Sequence, residues 1–342
     1  MLEQELMKKQ RLSNIELLRV ISMFLVLLVH ADYFSLGAPT VDDIKIDPVD
    51  AFFRIFFESI SIVCVNVFVL ISGWFGIKPS IRGLCGFLFQ CLFFLTGLYV
   101  ITLIFGLSDL NLKGIAGCFF ATRLNWFIKA YLLLYILSPV LNAFVGNSLQ
   151  KEFKWVLIGF FLFTFTYCWS GAAQFMLDGY STLFFIGLYL LARYIYIYKP
   201  RISLLNRNID ICIYFGTVIL VTAVSLFCPA ISGYMYFYIS PTTVIGALFL
   251  LLYFTKLRIQ SRVVNWLGIS CFAVFLMHVS PSTLWHFKNL FVYLHGSLDT
   301  YAFWISTFVI LMIIFMVSVL VDKVRIMVWE SIYNKFIVRI IK

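Results

Sequence analysis

Charge is what this sequence has least of. Only 12% of its 342 residues are Asp, Glu, Lys or Arg, about half the roughly 25% of an ordinary globular domain. That scarcity excludes an ordinary soluble fold. No polar block is long enough to form a separate soluble domain; the longest polar connection runs over residues 37–50. The eight cysteines form no CxxC pair and have no histidine at metal-ligand spacing, so they read as small buried hydrophobes and no metal site is expected. A phosphate-cradling glycine loop is missing, as is a GxSxG elbow, which removes P-loop and serine-hydrolase chemistry. Internal repeats are missing too, so an inverted-repeat transporter receives no support. The first apolar stretch lacks a small-residue cleavage site and carries Glu16 and Arg19 near its start, against a cleavable signal peptide.

What the chain does have is hydrophobic length. Apolar residues make up 62% of it and the mean hydropathy is +0.98, with repeated stretches near the ~20 residues that cross a bilayer. The pattern predicts spans over about 15–36, 51–77, 82–107, 126–146, 154–171, 181–198, 209–230, 236–255, 264–285 and 301–321. The expected fold is an all-α polytopic membrane bundle of about ten transmembrane helices. With the N-terminus in the cytoplasm, twenty Lys and Arg fall inside and six outside (Lys45, Arg54, Lys113, Arg123, Lys129 and Lys288). The bias holds loop after loop, supporting an even helix count with both termini cytoplasmic. The net charge of +10 therefore reads as topology and attraction to anionic membrane lipids, not nucleic-acid binding. The first outer loop is acidic, with Asp32, Asp42, Asp43, Asp47 and Asp50.

Against this apolar background two side chains stand out. Arg19 and His30 are eleven residues apart in the first span, within roughly 20° of whole helical turns and about 16 Å along the axis. Both share one face, Arg19 near the membrane surface and His30 deep. Ionisable groups inside a membrane face a bundle interior or cavity and are functional candidates. Taken alone, Arg19 reads equally as an arginine snorkelling to headgroups, and His30 equally as a packing histidine. Ser13-Asn14-Ile15-Glu16 has the form of a capping box, and Glu16 and Arg19 lie one turn apart in position to pair. His278 falls inside a later span, whereas His286 and His295 read as solvated residues near the last outer loop.

Four elements then occur in order. Ile15-Glu16-Leu17-Leu18-Arg19 runs on to His30. Phe68-Val69-Leu70-Ile71-Ser72-Gly73-Trp74 ends the second span. Asn125-Trp126-Phe127 is followed by Tyr131, Tyr135, Ser138 and Pro139. Gly268-Ile269-Ser270 continues through Phe275-Leu276-Met277-His278. Together these resemble the acyltransferase 3 family of integral membrane acyltransferases, and Tyr-x-x-x-Tyr-x-x-Ser-Pro is similar to the branch containing the enterobacterial common antigen O-acetyltransferase. Two departures are visible. The basic pair of many relatives is reduced to Lys78 and Arg82, and Tyr131 and Leu132 stand where many carry an acidic residue.

The resemblance implies a single acyltransferase 3-like transmembrane domain over residues 1–342, multi-pass in the cell inner (plasma) membrane. It implies an O-acetyltransferase that moves an acetyl group from acetyl-CoA, a donor substrate and not a bound cofactor, to a hydroxyl of an envelope or exported carbohydrate, free or lipid-linked. His30 is then the general base toward the acceptor hydroxyl or carries a transient acyl group. Arg19 suits the donor's phosphates through its bidentate fork, with Lys78 and Arg82 as further donor contacts or as ordinary positive-inside residues. His278 orients His30 or the acceptor. Trp126 and Tyr131 are the expected acceptor-binding residues, although Trp126 reads equally as an aromatic-belt residue. The alternative is a transporter or flippase of lipid-linked glycan, which the missing repeat and the four ordered elements disfavour.

Overall fold

The computed structural model describes residues 11–119, 125–169 and 175–333. Lys8, Lys9, Arg123, Lys335, Arg339 and Lys342 of the charge pattern lie outside the described residues, as do both chain ends and the side chains of Lys113 and Cys118. Among the described residues the chain is helical, without a strand. The principal helices are α1 (Ser13–Ala31), α2 (Pro48–Ser61), α3 (Cys64–Phe75), α4 (Ile81–Ile104), α5 (Trp126–Asn147), α6 (Gln150–Phe163), α7 (Thr182–Tyr198), α8 (Arg207–Phe227), α9 (Pro241–Thr255), α10 (Arg262–Gly268), α11 (Cys271–Val279), α12 (Leu284–Ser297) and α13 (Thr300–Ile332). Seven continuous or nearly continuous stretches are long and apolar enough to cross a membrane. These are Ser13–Leu36, Pro48–Phe75, Ile81–Ile104, Trp126–Asn147, Arg207–Phe227, Arg262–Val279 and Thr300–Ile332. The shorter apolar helices α7 and α9, and α6 with its π-helical extension Thr164–Cys168, answer the other three expected spans. The observed architecture is the all-α polytopic membrane bundle that the hydropathy predicts.

Burial separates its centre from its rim. The α2–α3 stretch has 72% of its apolar window buried, against 28% for α4 and for α5, so the former is enclosed and the latter two face lipid. Helix α1 packs against α2, α3, α9, α10, α11, α12 and α13, which makes it the hub. Helix α3 lies directly on α7 at Gly73, where an added Cβ would collide with the Tyr189 carbonyl oxygen and with Ala192. It then ends at Gly76, whose φ of 73° favours glycine. The following loop is clamped by α5 and α7. Asn142 donates to the Ile77 carbonyl (2.8 Å) and accepts from the Tyr189 hydroxyl (2.7 Å), while Ser80 N–H donates to the Tyr135 hydroxyl (2.9 Å).

Three local expectations are corrected. Leu12, not Ser13, is the N-cap of α1, with no side-chain cap; the Ser13 hydroxyl instead accepts from Ser261 N–H (3.1 Å), and Glu16 turns to arginines. The span expected over 264–285 breaks at Ile269–Ser270 and ends at Val279, two residues before Pro281; at the break Lys323 takes the Trp266 carbonyl (2.7 Å) and the Ser270 hydroxyl (2.9 Å). His295 is not a solvated loop residue. It lies on α12, half-buried, with Nε2 3.1 Å from the Asp50 carboxylate and its ring against Phe303; His286 is exposed as expected.

Candidate active site

One stripe of α1 carries Arg19, Met23, Val26 and His30, spaced four, three and four residues apart, the i, i+4, i+7, i+11 face of a helix. Two cavities open along it. The first, about 320 Å³, is lined by Arg11, Arg19, Met23, Ser72, Gln90 and Tyr131, among others. The second, about 480 Å³, is lined by His30, Tyr33, Glu58, Asn125, Trp126 and Tyr236, among others. Both fall in the size range of small-molecule sites. Four apolar residues, Val26, Val65, Phe127 and Phe275, belong to both linings. The cavities therefore lie back to back, with a single layer of side chains between them.

The first cavity holds a prepared cation. Glu16 is almost fully buried and receives Arg19 at 2.6 Å and Arg11 at 3.0 Å. It sits where Gly268 of α10 has no Cβ; an alanine there would overlap the carboxylate. Arg19 thus spends one of its five N–H donors on Glu16, and among the described residues that is its one hydrogen bond. Across the cavity Ser72 donates to the Phe68 carbonyl (3.0 Å), so the Tyr131 hydroxyl donates to Ser72 (3.0 Å). This is the cavity on the side that the positive-inside count expects to face the cytoplasm.

His30, on the wall of the second cavity, meets His278, which is buried behind it. The His30 and His278 rings are 4.9 Å apart at 73°. Each places Nδ1 2.7 Å from a carbonyl oxygen of its own preceding turn, Val26 for His30 and Val274 for His278. A carbonyl only accepts, so both rings carry their proton on Nδ1 and leave the Nε2 lone pair free. Among the described residues Nε2 of His278 is buried without a partner. Phe34, Phe275 and Phe287 box the pair. Facing His30 across the cavity is an aromatic wall in which Trp126 meets Tyr180 at 4.4 Å and Tyr238 at 5.8 Å. Asn125 accepts from Phe127 N–H (2.9 Å) to cap α5; among the described residues its amide NH₂ has no partner.

The sequence profile of the acyltransferase domain family matches residues 12–322, most of the chain and all four elements. The chain belongs to the acyltransferase 3 family. No curated protein and no solved structure matches it. As a family member it is a multi-pass membrane acyltransferase.

The structure divides the seven expected site residues between the two cavities and the surface. His30 and His278 are in contact, and His30 and Trp126 line one cavity. Arg19 lies in the other cavity, and Tyr131, expected beside the acceptor, lies there with it. Lys78 and Arg82 line neither. Both are exposed, and Arg82 turns outward to Glu330 (3.2 Å) and the Tyr333 ring (4.3 Å). Arg11, Gln90 and Glu58 were missed. For Arg11 and Gln90 no local signal exists, since cavity contact depends on tertiary packing. Glu58 did have one, as a carboxyl within an apolar span.

Proposed function

We propose that this acyltransferase moves an acetyl group from acetyl-CoA at the cytoplasmic cavity to a hydroxyl of an envelope or exported carbohydrate, free or lipid-linked, in the outer one. The observation that carries the reading is the pair of back-to-back cavities, with Arg19 in one and His30 in the other, joined along one helix face. Arg19, with Arg11 beside it, binds the donor's phosphates at the cytoplasmic mouth, and the thioester end reaches the wall of Val26, Val65, Phe127 and Phe275. In the outer cavity Trp126 stacks on the sugar ring. The His30 Nε2 lone pair takes the proton of the acceptor hydroxyl while that oxygen attacks the thioester carbon. The tetrahedral oxyanion is met by the Asn125 amide N–H. Its collapse breaks the carbon–sulfur bond, and the proton on His30 passes to the leaving thiolate, giving ester and CoA thiol. His278 holds the His30 ring by edge contact.

This reading places the protein in the inner (plasma) membrane, where cytoplasmic acetyl-CoA and an exported glycan are both accessible. The test is acyl analysis of cell-surface glycans from a strain lacking the protein, complemented with the intact chain or with His30→Ala. Esters that vanish and return only with intact His30 are the expected result. Esters restored by membrane-inserted His30→Ala refute the assignment of the base. Unchanged esters with lipid-linked glycan accumulating inside refute the transferase reading in favour of transport.

A further inference from the structure

Glu58 lies one turn before the end of α2, inside the α2–α3 span, and is 3% exposed. Its side chain lines the cavity that holds His30. Among the described residues no arginine, lysine or hydrogen-bond donor meets its carboxyl, and Oε2 is wholly buried without a partner. The other acidic groups of the interior are engaged: Glu16 by two arginines, Asp32 by Arg54, Asp210 by Lys256 and Asp322 by Arg325. A buried carboxyl without a partner destabilises the fold it sits in, so its place on a cavity wall calls for a ligand. Beside it is a chain of hydroxyls. The Tyr236 hydroxyl is 2.8 Å from Ser225, 3.3 Å from Ser59 and 3.5 Å from Tyr33.

We infer that Glu58 is the acceptor-binding carboxyl of the outer cavity. It receives hydrogen bonds from one or two hydroxyls of the sugar whose neighbouring hydroxyl faces His30. A carboxylate accepts at two oxygens, so adjacent hydroxyls of a pyranose satisfy it, whereas a purely apolar acceptor leaves it as costly as before. The Tyr33–Tyr236 edge, with rings 5.1 Å apart, bounds the sugar on the Glu58 side and Trp126 bounds its face. Glu58 binds and orients; the proton transfer stays with His30. This assignment rests on the proposed transfer to carbohydrate.

The experiment uses the full chain reconstituted in lipid, radiolabelled acetyl-CoA, and membrane vesicles from a strain lacking the protein as the source of unmodified acceptor. Glu58→Leu is expected to raise the KM for vesicle-borne acceptor by roughly tenfold or more while leaving the acetyl-CoA KM within about twofold. Glu58→Gln, which keeps hydrogen-bonding capacity, falls between. Because the carboxyl has no protein partner, Glu58→Leu unfolds at the same temperature as the unaltered chain or higher. A lowered melting temperature with both KM values shifted overturns the proposal in favour of a structural role. A loss confined to kcat overturns it in favour of proton transfer. Full transfer by Glu58→Leu overturns it alone, and no transfer by the unaltered chain overturns the transferase reading and this proposal together.

Discussion

The turn just beyond His30 depends on one arginine. Arg54 of α2 is 6% exposed and its Nε lies 2.8 Å from Asp32, itself 1% exposed. The same guanidinium also donates to the Gly37 carbonyl, and Asp50 lies 3.9 Å away. Arg54 therefore ties α2 to the C-cap of α1 two residues past His30. At an effective dielectric of about 20, unit charges at that separation attract by about 6 kcal/mol before desolvation. Removing one partner of such a pair has a net cost of about 3–5 kcal/mol, because the other is left buried and unpaired. Arg54→Met is expected to lose that much stability, and replacing Asp32 by Asn in the same chain to restore most of it. Denaturant melts of the purified protein in one detergent measure both, with acyl transfer as the second readout. A single variant within about 0.5 kcal/mol of the unaltered protein, or a double variant no more stable than the single, refutes the reasoning.

Two further outcomes follow from the cavities. Val65→Phe thickens the wall between them from the α3 side, so acetyl transfer should fall at least roughly tenfold while acetyl-CoA binding, followed by titration calorimetry, stays within about twofold; equal transfer means that the acyl group crosses elsewhere. Arg19→Ala should raise the acetyl-CoA KM by roughly tenfold or more, the worth of a charge-assisted bond to phosphate, while Arg82→Ala, whose guanidinium is engaged at the surface, should leave it within about twofold; the reverse order of effects restores Arg82 as the donor contact.

Much of the fold was legible because membrane burial writes itself into hydropathy and loop charge. Each of the ten expected spans coincides with helix, since crossing lipid forces both apolar length and internal hydrogen bonding. What hydropathy does not encode is where a span breaks. The interruption at Ile269–Ser270 is met by Lys323, 53 residues later, whose ammonium takes the Ser270 hydroxyl, and no window of local sequence contains that contact. At the site, the shared face of Arg19 and His30 follows from helical phase alone, and the contact of His30 with His278 was reached through the resemblance and not by geometry. Tyr131, which the resemblance grouped with Trp126, lines the other cavity. It stands five residues after Trp126 on α5, about 7.5 Å along the axis, enough to pass from one side of Phe127 to the other. The one motif therefore contributes side chains to both cavities.

The order along α1 constrains which partner moves. Arg19 and Met23 line the first cavity, His30 lines the second, and Val26 lines both. The barrier therefore lies one turn from the proposed base, on its Arg19 side. With donor and acceptor seated as proposed, the acyl group crosses the wall and the sugar does not, because a sugar that crossed would leave His30 behind it. Val26 serves both halves by separate atoms: its side chain walls the cavities, and its carbonyl, at 2.7 Å, holds the His30 proton on Nδ1. On that proposed seating, holding the donor and activating the acceptor are separated along a single helix. Its eleven-residue spacing sets the distance that the donor's flexible arm has to span, about 16 Å from guanidinium level to imidazole level. A shorter spacing would put the proposed base inside the proposed donor cavity, where water competes with the sugar hydroxyl. The apolar wall, with the Phe127 and Phe275 rings 5.4 Å apart, excludes that water while leaving only side chains to be displaced when the thioester arrives.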